Sequence, residues 1–321
     1  MGQGPGDVDV VVIGSGPNGL VAGCVLARAG FDVLVLEANP VRAGGAVGSE
    51  EATRPGFVHD VGAAFFPWAM LSPAFKSLDL AQYGLRWQRA IFESCHPAPD
   101  GSYACIAGDH DQRAAHFGSA GDGERWRRIA AWYRSIEPPL IDLLLRTFPA
   151  FGPVFHLNPA DLARLSAIFL SSGRALSERW FTSAAARRVL PGLALHVDVG
   201  PDDRFGAGLG FMLGMTATTG GYAVPVGGAR SIVEALIACL QRHGGRLRLS
   251  AQVQRVLVNG RRARGVRLAG GEDITARVVL ADTDVAALLL DLVGPEHLPG
   301  WVVRRMRGYA RGWGTFKVDW A

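Results

Sequence analysis

The chain has 321 residues, a formal net charge of +4 and 49% hydrophobic residues, a composition that excludes a disordered protein and is typical of a globular α/β protein. A chain longer than about 250–300 residues exceeds one hydrophobic core, so we expect two structural regions. Lysine occurs only at Lys76 and Lys317, and we do not interpret this arginine bias as nucleic-acid binding. The eight histidines are scattered without metal-ligand spacing, so no metal site is predicted.

The first predicted elements are a strand, a helix and a second strand. The apolar run 8–13 leads into the pattern G-x-G-x-x-G at 14–19, which opens an amphipathic helical segment. A second apolar strand over 33–36 ends at the acid Glu37. This order predicts a Rossmann-like α/β unit that binds the ADP half of a dinucleotide.

Each part of the pattern has a physical role. Gly14 allows the tight turn from strand to helix, Gly16 lets the backbone approach a pyrophosphate, and Gly19 lets helix and strand pack closely. The helix N-terminus offers N–H groups and a partial positive charge to the phosphates. Glu37 can accept hydrogen bonds from ribose hydroxyls, and its charge disfavours the 2′-phosphate of NADP. The cofactor-binding residues predicted from this part are Gly14, Ser15, Gly16, Pro17, Asn18, Gly19, Glu37 and Ala38.

A glycine doublet follows the second strand. The sequence Arg42-Ala43-Gly44-Gly45-Ala46 precedes Gly56-Phe57-Val58-His59-Asp60-Val61-Gly62. It resembles the R-x-G-G motif of the flavoprotein group that contains amine oxidases and phytoene-desaturase-like enzymes. The resemblance implies FAD as the cofactor and adds Arg42, Gly44, Gly45 and Ala46 to the predicted site. Ala46 stands where many relatives carry arginine, and the spacing from Glu37 to the doublet is one residue longer than usual.

Residues 66–219 are predicted to form a mostly helical, mixed insertion on the substrate side. Helical spacing is present on either side of Pro138-Pro139 and again over 162–169. The uncharged run 205–229 contains eight glycines and a proline, so we interpret it as buried loop and strand rather than a membrane span.

The aromatic residues near and within this insertion have two interpretations. They line a lipophilic tunnel or, as we favour, they pack its helices. These residues are Phe65, Phe66, Trp68, Phe75, Trp87, Phe148, Phe151 and Phe155.

The chain then returns to the dinucleotide-binding domain, whose first part is 1–65 and whose second part is 220–293. A P-x-G-G motif at 225–228 precedes a helix-like stretch and a strand meander, and the apolar run 278–281 ends at Asp282. With the two earlier motifs, this order resembles phytoene-dehydrogenase-like FAD oxidoreductases. The resemblance implies that a backbone segment at Val253 covers the adenine.

The resemblance implies an FAD-dependent oxidoreductase of the dehydrogenase or desaturase kind, in which the flavin accepts a hydride from an apolar, lipophilic small molecule. The alternative is a non-catalytic flavin- or nucleotide-binding protein, or a half-enzyme that acts as a partner subunit. We assign no catalytic residue. His59 and Asp60 lie in the stretch that relatives run near the flavin, but flavin chemistry often needs no protein base.

Residues 294–321 are predicted to begin a further, truncated substrate-domain segment, because 314–321 alternates like a strand cut off midway. The relatives' flavin-side segment has no counterpart here, so we expect a longer chain, a homo-oligomer or a second polypeptide to complete the fold. The arginines and aromatic residues of 301–313 leave a patch for peripheral contact with an anionic membrane or for nucleic acid open as an alternative. We favour a solvated helix or a strand of the substrate region.

The four cysteines show no paired framework, and no signal peptide precedes the first strand, so a reducing, cytoplasmic location is expected. Cys24 is predicted to be a core thiol, because it lies on the apolar face of the first helix.

Overall fold

The computed structural model describes residues 7–107, 116–146, 152–220, 222–312, 314 and 316–321. The strands are β1 (Val8–Ile13), β2 (Val33–Leu36), β3 (Ser49–Glu50), β4 (His59–Asp60), β5 (Trp87–Arg89), β6 (Phe92–Pro97), β7 (Tyr103–Ala107), β8 (Ala223–Pro225), β9 (Arg246–Arg248), β10 (Val253–Asn259), β11 (Arg262–Leu268) and β12 (Asp273–Ala281).

The α-helices are α1 (Pro17–Arg28), α2 (Pro73–Leu78), α3 (Ala120–Leu145), α4 (Pro159–Phe169), α5 (Gly173–Trp180), α6 (Ala184–Arg187), α7 (Val189–Ala194), α8 (Gly206–Thr219), α9 (Arg230–Arg242), α10 (Val285–Ala287) and α11 (Gly300–Arg307). Short 3₁₀ helices cover Leu80–Tyr83, Gly152–His156, Leu195–Val197 and Pro295–His297, and a π-helix covers Leu288–Val293.

The described residues divide into two compact units. The first unit draws on 1–64, 74–87 and 225–321, and the second on 65–73 and 88–224. Residues 74–87, which the sequence assigned to the insertion, therefore belong with the first unit. The reason is local packing: the Leu80–Tyr83 turn contacts α9, and the Tyr83 hydroxyl lies 3.4 Å from Nε2 of His243.

The first unit is built on a six-stranded sheet in the order β10-β11-β12-β1-β2-β9. Strands β12, β1, β2 and β9 are parallel neighbours, whereas β10, β11 and β12 form an antiparallel meander. Ile13 pairs with both Leu36 and Ala281, so three parallel strands end at one level. This sheet, with α1 after β1, confirms the predicted Rossmann-like α/β class.

Helix α1 packs on β2 and α9. A Cβ atom on Gly23 would lie 3.3 Å from a methyl carbon of Val35, so the missing side chain permits close contact. Cys24 is fully buried on this helix, and its thiol donates a hydrogen bond to the carbonyl of Leu236 at 3.1 Å. The predicted core thiol is confirmed.

The core of the second unit is largely helical and aromatic, and it includes the buried rings of Phe117, Trp126, Tyr133, Phe181 and Phe211. The sequence suggested helices on either side of Pro138-Pro139, but α3 continues through both prolines. An interior proline costs a backbone hydrogen bond. Here α3 buries apolar side chains both before and after the prolines, and this packing outweighs the local cost.

The prediction of loop and strand for 205–229 is wrong for most of its length, because Gly206–Thr219 is the buried helix α8. Glycine lowers helix propensity, but here it permits contact. A Cβ on Gly210 would collide with the Leu190 carbonyl oxygen, and one on Gly214 would lie 2.8 Å from the Trp126 ring. No helix in the described part of the chain combines the length and the hydropathy of a membrane span.

Two of the aromatic residues named above pack against the helical core, as favoured. Phe65 and Trp68 contact the buried cluster of the second unit. Phe155 is exposed, while Phe148 and Phe151 lie outside the described residues.

The predicted strand at 314–321 is wrong for its described residues, 314 and 316–321, which form no strand. An alternating segment becomes a strand only where another strand accepts its hydrogen bonds. Upstream, residues 301–307 of the arginine-rich stretch lie in α11, as favoured. Residues 308–312 form neither helix nor strand, and Trp313 lies outside the described residues.

Candidate functional site

The carboxyl ends of β1, β2 and β12 border a cleft of about 570 Å³ within the first unit. Its lining residues are Ile13, Gly14, Ser15, Gly16, Pro17, Leu36, Glu37, Ala38, Gly45, Ala46, Ala251, Gln252, Val253, Asp282, Thr283, Ala287, Asp291 and Leu292. Ligands of open α/β sheets bind at this end of the strands, so the cleft is the candidate site.

Three glycines, Gly14, Gly16 and Gly19, pack closely against Asp282. Gly14 has a φ of +91°, which provides the predicted tight turn. A Cβ on Gly14 would collide with the Asp282 carbonyl oxygen, and one on Gly16 would collide with its carboxylate. A Cβ on Gly19 would lie 2.6 Å from the Gly14 carbonyl oxygen. The spacing G-x-G-x-x-G therefore serves close packing as much as ligand approach.

Asp282 also changes the donor set at the helix N-terminus. The Gly19 N–H donates to Asp282 Oδ2 at 2.8 Å, and the Asp282 N–H donates to the Ile13 carbonyl at 2.7 Å. The sequence predicted free N–H groups for phosphate binding at this helix start. That expectation is wrong for the Gly19 N–H, because Asp282 already accepts its hydrogen bond.

Glu37 occupies the end of β2 and faces the glycine loop. Its Oε2 accepts hydrogen bonds from the Ser15 N–H at 3.0 Å and the Ser15 hydroxyl at 2.5 Å. Its Oε1 accepts from the Asn39 N–H at 2.8 Å. Burial raises the pKa of Glu37, but these hydrogen bonds outweigh burial and lower the pKa overall. A carboxylate offers about four acceptor positions, so Glu37 retains capacity for a hydroxyl donor.

The glycine doublet lies over the same loop. The Gly44 N–H donates to the Ser15 carbonyl at 3.0 Å, and a Cβ on Gly45 would lie 3.5 Å from Gly16 Cα. The φ of Gly44 is +105°, a conformation that favours glycine. Arg42 donates from Nη1 to the Gly45 carbonyl at 2.9 Å, and this bond holds the doublet in place.

The structure brings most of the predicted site residues together. Those that line the cleft are Gly14, Ser15, Gly16, Pro17, Glu37, Ala38, Gly45, Ala46 and Val253. Four others do not line it: Asn18 is exposed, while Gly19, Arg42 and Gly44 support the loop through the contacts above. Their roles toward a cofactor stay predictions.

Sequence reasoning missed Asp282, Thr283 and Asp291 as lining residues. Asp282 carried a usable signal, because it directly follows the parallel strand β12, as Glu37 directly follows β2. Asp291 lies in the π-helix, and no sequence pattern indicated that it would line the cleft. Among the described lining residues there is no lysine or arginine, so backbone N–H groups and the α1 N-terminus are the positive groups available.

Asp60 has a structural role in this fold. Its Oδ1 accepts from the Ser49 hydroxyl at 2.6 Å and from the Ala229 N–H at 2.7 Å, just before α9. His59 places Nε2 2.7 Å from the Thr53 hydroxyl. These contacts give both side chains structural partners, and we assign neither a catalytic role.

The second unit contains a cavity of about 640 Å³ with a different lining. Its lining residues are Cys95, His96, Pro97, Arg174, Ser177, Glu178, Ala184, Arg187, Arg188, Pro191, Gly192, Leu195 and Pro201. Arg174 pairs with Asp202 at 2.6 Å, and Arg188 donates to the Ser102 carbonyl at 3.0 Å. Burial and the Arg188 charge lower the pKa of His96.

A family model described as flavin containing amine oxidoreductase matches residues 18–317. This match confirms the predicted flavoprotein group and FAD as its cofactor. Among similar proteins is "Pyridine nucleotide-disulfide oxidoreductase domain-containing protein 2" of Rattus norvegicus, 27% identical over 94% of this chain and 57% of its own length. A zeta-carotene-forming phytoene desaturase of Myxococcus xanthus is 27% identical over 89% of this chain and 55% of its own length.

Solved structures share the fold. An oxidoreductase from Methanosarcina mazei superposes with a TM-score of 0.60 at 18% identity, over 94% of this chain and 64% of that one. Putrescine oxidase bound to putrescine gives a TM-score of 0.60 at 21% identity, over 94% and 63%. The chain spans about half the length of the curated relatives it matches.

Proposed function

Because the chain belongs to the flavin containing amine oxidoreductase family, we propose that it acts as an FAD-dependent oxidoreductase of the dehydrogenase or desaturase kind on an apolar isoprenoid substrate. The observation that carries the proposal is the cleft at the ends of β1, β2 and β12, where the glycine loop, the doublet and Glu37 converge. Its volume lies within the range of about 300–1,000 Å³ typical of ligand sites.

The residues of the cleft fit an ADP-containing cofactor. Gly14, Gly16 and Gly45 present backbone without side chains, which allows a pyrophosphate to approach. Glu37 is ionised at neutral pH and can accept from ribose hydroxyls, and Val253 with its neighbours offers an apolar wall to the adenine. FAD, when bound, supplies the acceptor for a hydride. The protein's own part is to bind and orient the cofactor.

The apolar substrate class draws support from relatives. A phytoene desaturase of Cercospora nicotianae is 26% identical over 86% of this chain and 45% of its own length, and the Myxococcus xanthus enzyme carries a similar name. Phytoene is an isoprenoid hydrocarbon, which offers C–H bonds and no amine. A hydrocarbon substrate therefore suits this chain better than an amine does.

Anaerobic flavin reduction tests the proposal. The purified protein is reconstituted with FAD and mixed with phytoene or limonene in detergent micelles, and with putrescine as the amine comparison. We expect a hydrocarbon to bleach the flavin absorbance while putrescine leaves it unchanged. Bleaching by the amine alone would overturn the substrate class, and absence of FAD binding would overturn the proposal entirely.

A partner-subunit role is the second candidate. It is favoured by the match to one of the subunits of a limonene dehydrogenase of Castellaniella defragrans, 34% identical over 40% of this chain and 23% of that protein. In that case FAD binds but no hydrocarbon reduces it until a second polypeptide is added. The same titration with and without that polypeptide separates the two candidates.

A further inference from the structure

Two cysteines of the second unit face each other across a strand pair. Strands β6 and β7 are antiparallel, and Cys95 is the register partner of Cys105. The Cys105 thiol donates a hydrogen bond to the Cys95 sulfur, with 2.7 Å between the two Sγ atoms. The sequence gave no sign of this pairing, because the two cysteines are ten residues apart and show no C-x-x-C spacing. The fold places them in direct contact.

The backbone geometry suits a covalent link. The Cys105 N–H donates to the His116 carbonyl at 2.8 Å, on the side of β7 away from β6. Cys95 and Cys105 are therefore a non-hydrogen-bonded pair, in which the Cα atoms lie about 4.5 Å apart. A disulfide spans Cα separations of about 4.4–6.8 Å. The strand register is therefore compatible with a disulfide between the two sulfurs.

The two thiols differ in their access to solvent. Cys95 is exposed and Cys105 is buried. Burial and the contact with Cys95 raise the pKa of the Cys105 thiol to about 12. Cys95 lines the cavity of the second unit together with Arg187 and Arg188. Cys95 is thus the sulfur that an external reagent reaches first, and Cys105 is the sulfur that reacts in a second step.

We propose that Cys95 and Cys105 form an oxidative modification site that reacts with hydroperoxides and closes to a disulfide. The Cys95 thiolate attacks the outer peroxide oxygen, the O–O bond breaks, and an alkoxide or hydroxide leaves and takes up a proton. The Cys95 sulfenic acid is then attacked by the Cys105 sulfur. The S–S bond forms, the S–O bond breaks, and the hydroxyl leaves with the Cys105 proton as water. Two thiols are oxidised and one hydroperoxide is reduced.

The other two cysteines provide an internal comparison. Cys24 and Cys239 are both buried in the first unit, and the Cys24 thiol is engaged with the Leu236 carbonyl. Burial denies them the reagent, so they stay reduced under conditions that oxidise the exposed pair.

Thiol counting in the wild-type protein tests the proposal directly. Reduced protein is treated with hydrogen peroxide, denatured and alkylated with N-ethylmaleimide, and then digested for mass spectrometry. In a parallel sample that receives no peroxide, we expect all four cysteines to be alkylated, because all four are free. Afterwards we expect two alkylated cysteines and a linked peptide that joins Cys95 to Cys105, two hydrogens lighter than the sum. Four alkylated cysteines, or a link that involves Cys24 or Cys239, would overturn the proposal.

Variants establish the order of attack. Cys105→Ser should form no link and should accumulate a Cys95 sulfenic acid that dimedone traps, whereas Cys95→Ser should leave Cys105 unoxidised. Cys239→Ser is the matched control and should retain the Cys95–Cys105 link. Dimedone labelling of Cys105 in Cys95→Ser, with none of Cys95 in Cys105→Ser, would reverse the assigned roles and refute the mechanism.

Discussion

The cleft of the first unit and the cavity of the second are similar in volume, about 570 and 640 Å³. They differ in the groups that line them. The cleft uses backbone at Gly14, Gly16 and Gly45, with carboxylates and no described lysine or arginine in its lining. The cavity is lined by charged side chains such as Arg187 and Arg188. A site made of backbone depends on what side chains are absent, whereas a site made of side chains depends on which are present.

A methyl group in the glycine loop should have the largest effect. Gly14→Ala forces alanine to φ +91° and drives its Cβ into the Asp282 carbonyl oxygen, so we expect a loss of about 3–5 kcal/mol in the free energy of unfolding. Gly30 is the matched control, because its φ is +89° and no atom lies near its Cβ position. Gly30→Ala should cost about 1–2 kcal/mol. Equal losses in urea denaturation would contradict a loop fixed by close contact.

The second unit should respond to a buried side chain instead. Asp122 is 2% exposed and accepts hydrogen bonds from the Thr182 N–H at 2.8 Å and the Ser183 N–H at 2.9 Å. Burial raises its pKa, but these bonds prevail and lower the pKa to about 2. Asp122→Ala should therefore cost about 2–3 kcal/mol at pH 7.

The pH dependence of that contribution has a definite sign. The folded-state pKa lies below the unfolded value, so the stabilisation is present above about pH 4 and is lost as the pH falls towards 2. Denaturation curves between pH 2 and 6 measure it. An Asp122→Ala difference that stays constant across this interval would show that the carboxylate's charge is not the source.

Substitution of Glu37 tests whether its carboxylate contributes to FAD affinity as well as to the structure of the loop. Glu37→Gln removes the charge from the proposed ribose acceptor, and we expect FAD affinity to fall by about 1.5–3 kcal/mol. Isothermal titration of apoprotein with FAD measures the change. Ser15→Ala is the comparison, because it removes the 2.5 Å hydroxyl bond to Glu37 and leaves the carboxylate in place. Its expected cost is about 1 kcal/mol. Unchanged FAD affinity in Glu37→Gln would remove this residue from the site.

The smallest expected effect on stability among the site residues concerns Asp282. Asp282→Ala leaves the Gly19 N–H without its acceptor and should cost about 1–2 kcal/mol of unfolding free energy. Asp282→Asn keeps an acceptor oxygen in the same position and should cost less. If the two variants are equally destabilised in parallel urea titrations, the hydrogen bond is not what holds the loop.

The sequence predicted the backbone-built region well because its rules are local. The spacing of Gly14 and Gly19 alone indicated a turn and a close contact, and the apolar run before Glu37 indicated a buried strand. The structure of the second unit could not be predicted from such local patterns. Helix α8 was mistaken for loop and strand, because glycines in a sequence usually indicate that a helix is interrupted. In the folded core these glycines instead allow close contact between the helix and its neighbours. The pairing of Cys95 with Cys105 depends on strand register, which neither residue reveals.

The central position of β1 has a consequence for how the chain folds. Strand β1 lies between β2 and β12, and Val11 pairs with Val279. During synthesis from the N-terminus, one edge of β1 must therefore wait for a partner made more than 260 residues later, after the whole second unit has emerged. Contacts of such long range slow folding. We therefore expect the nascent chain to carry an apolar, unpaired strand edge throughout that interval, and an unpaired edge is a site for aggregation.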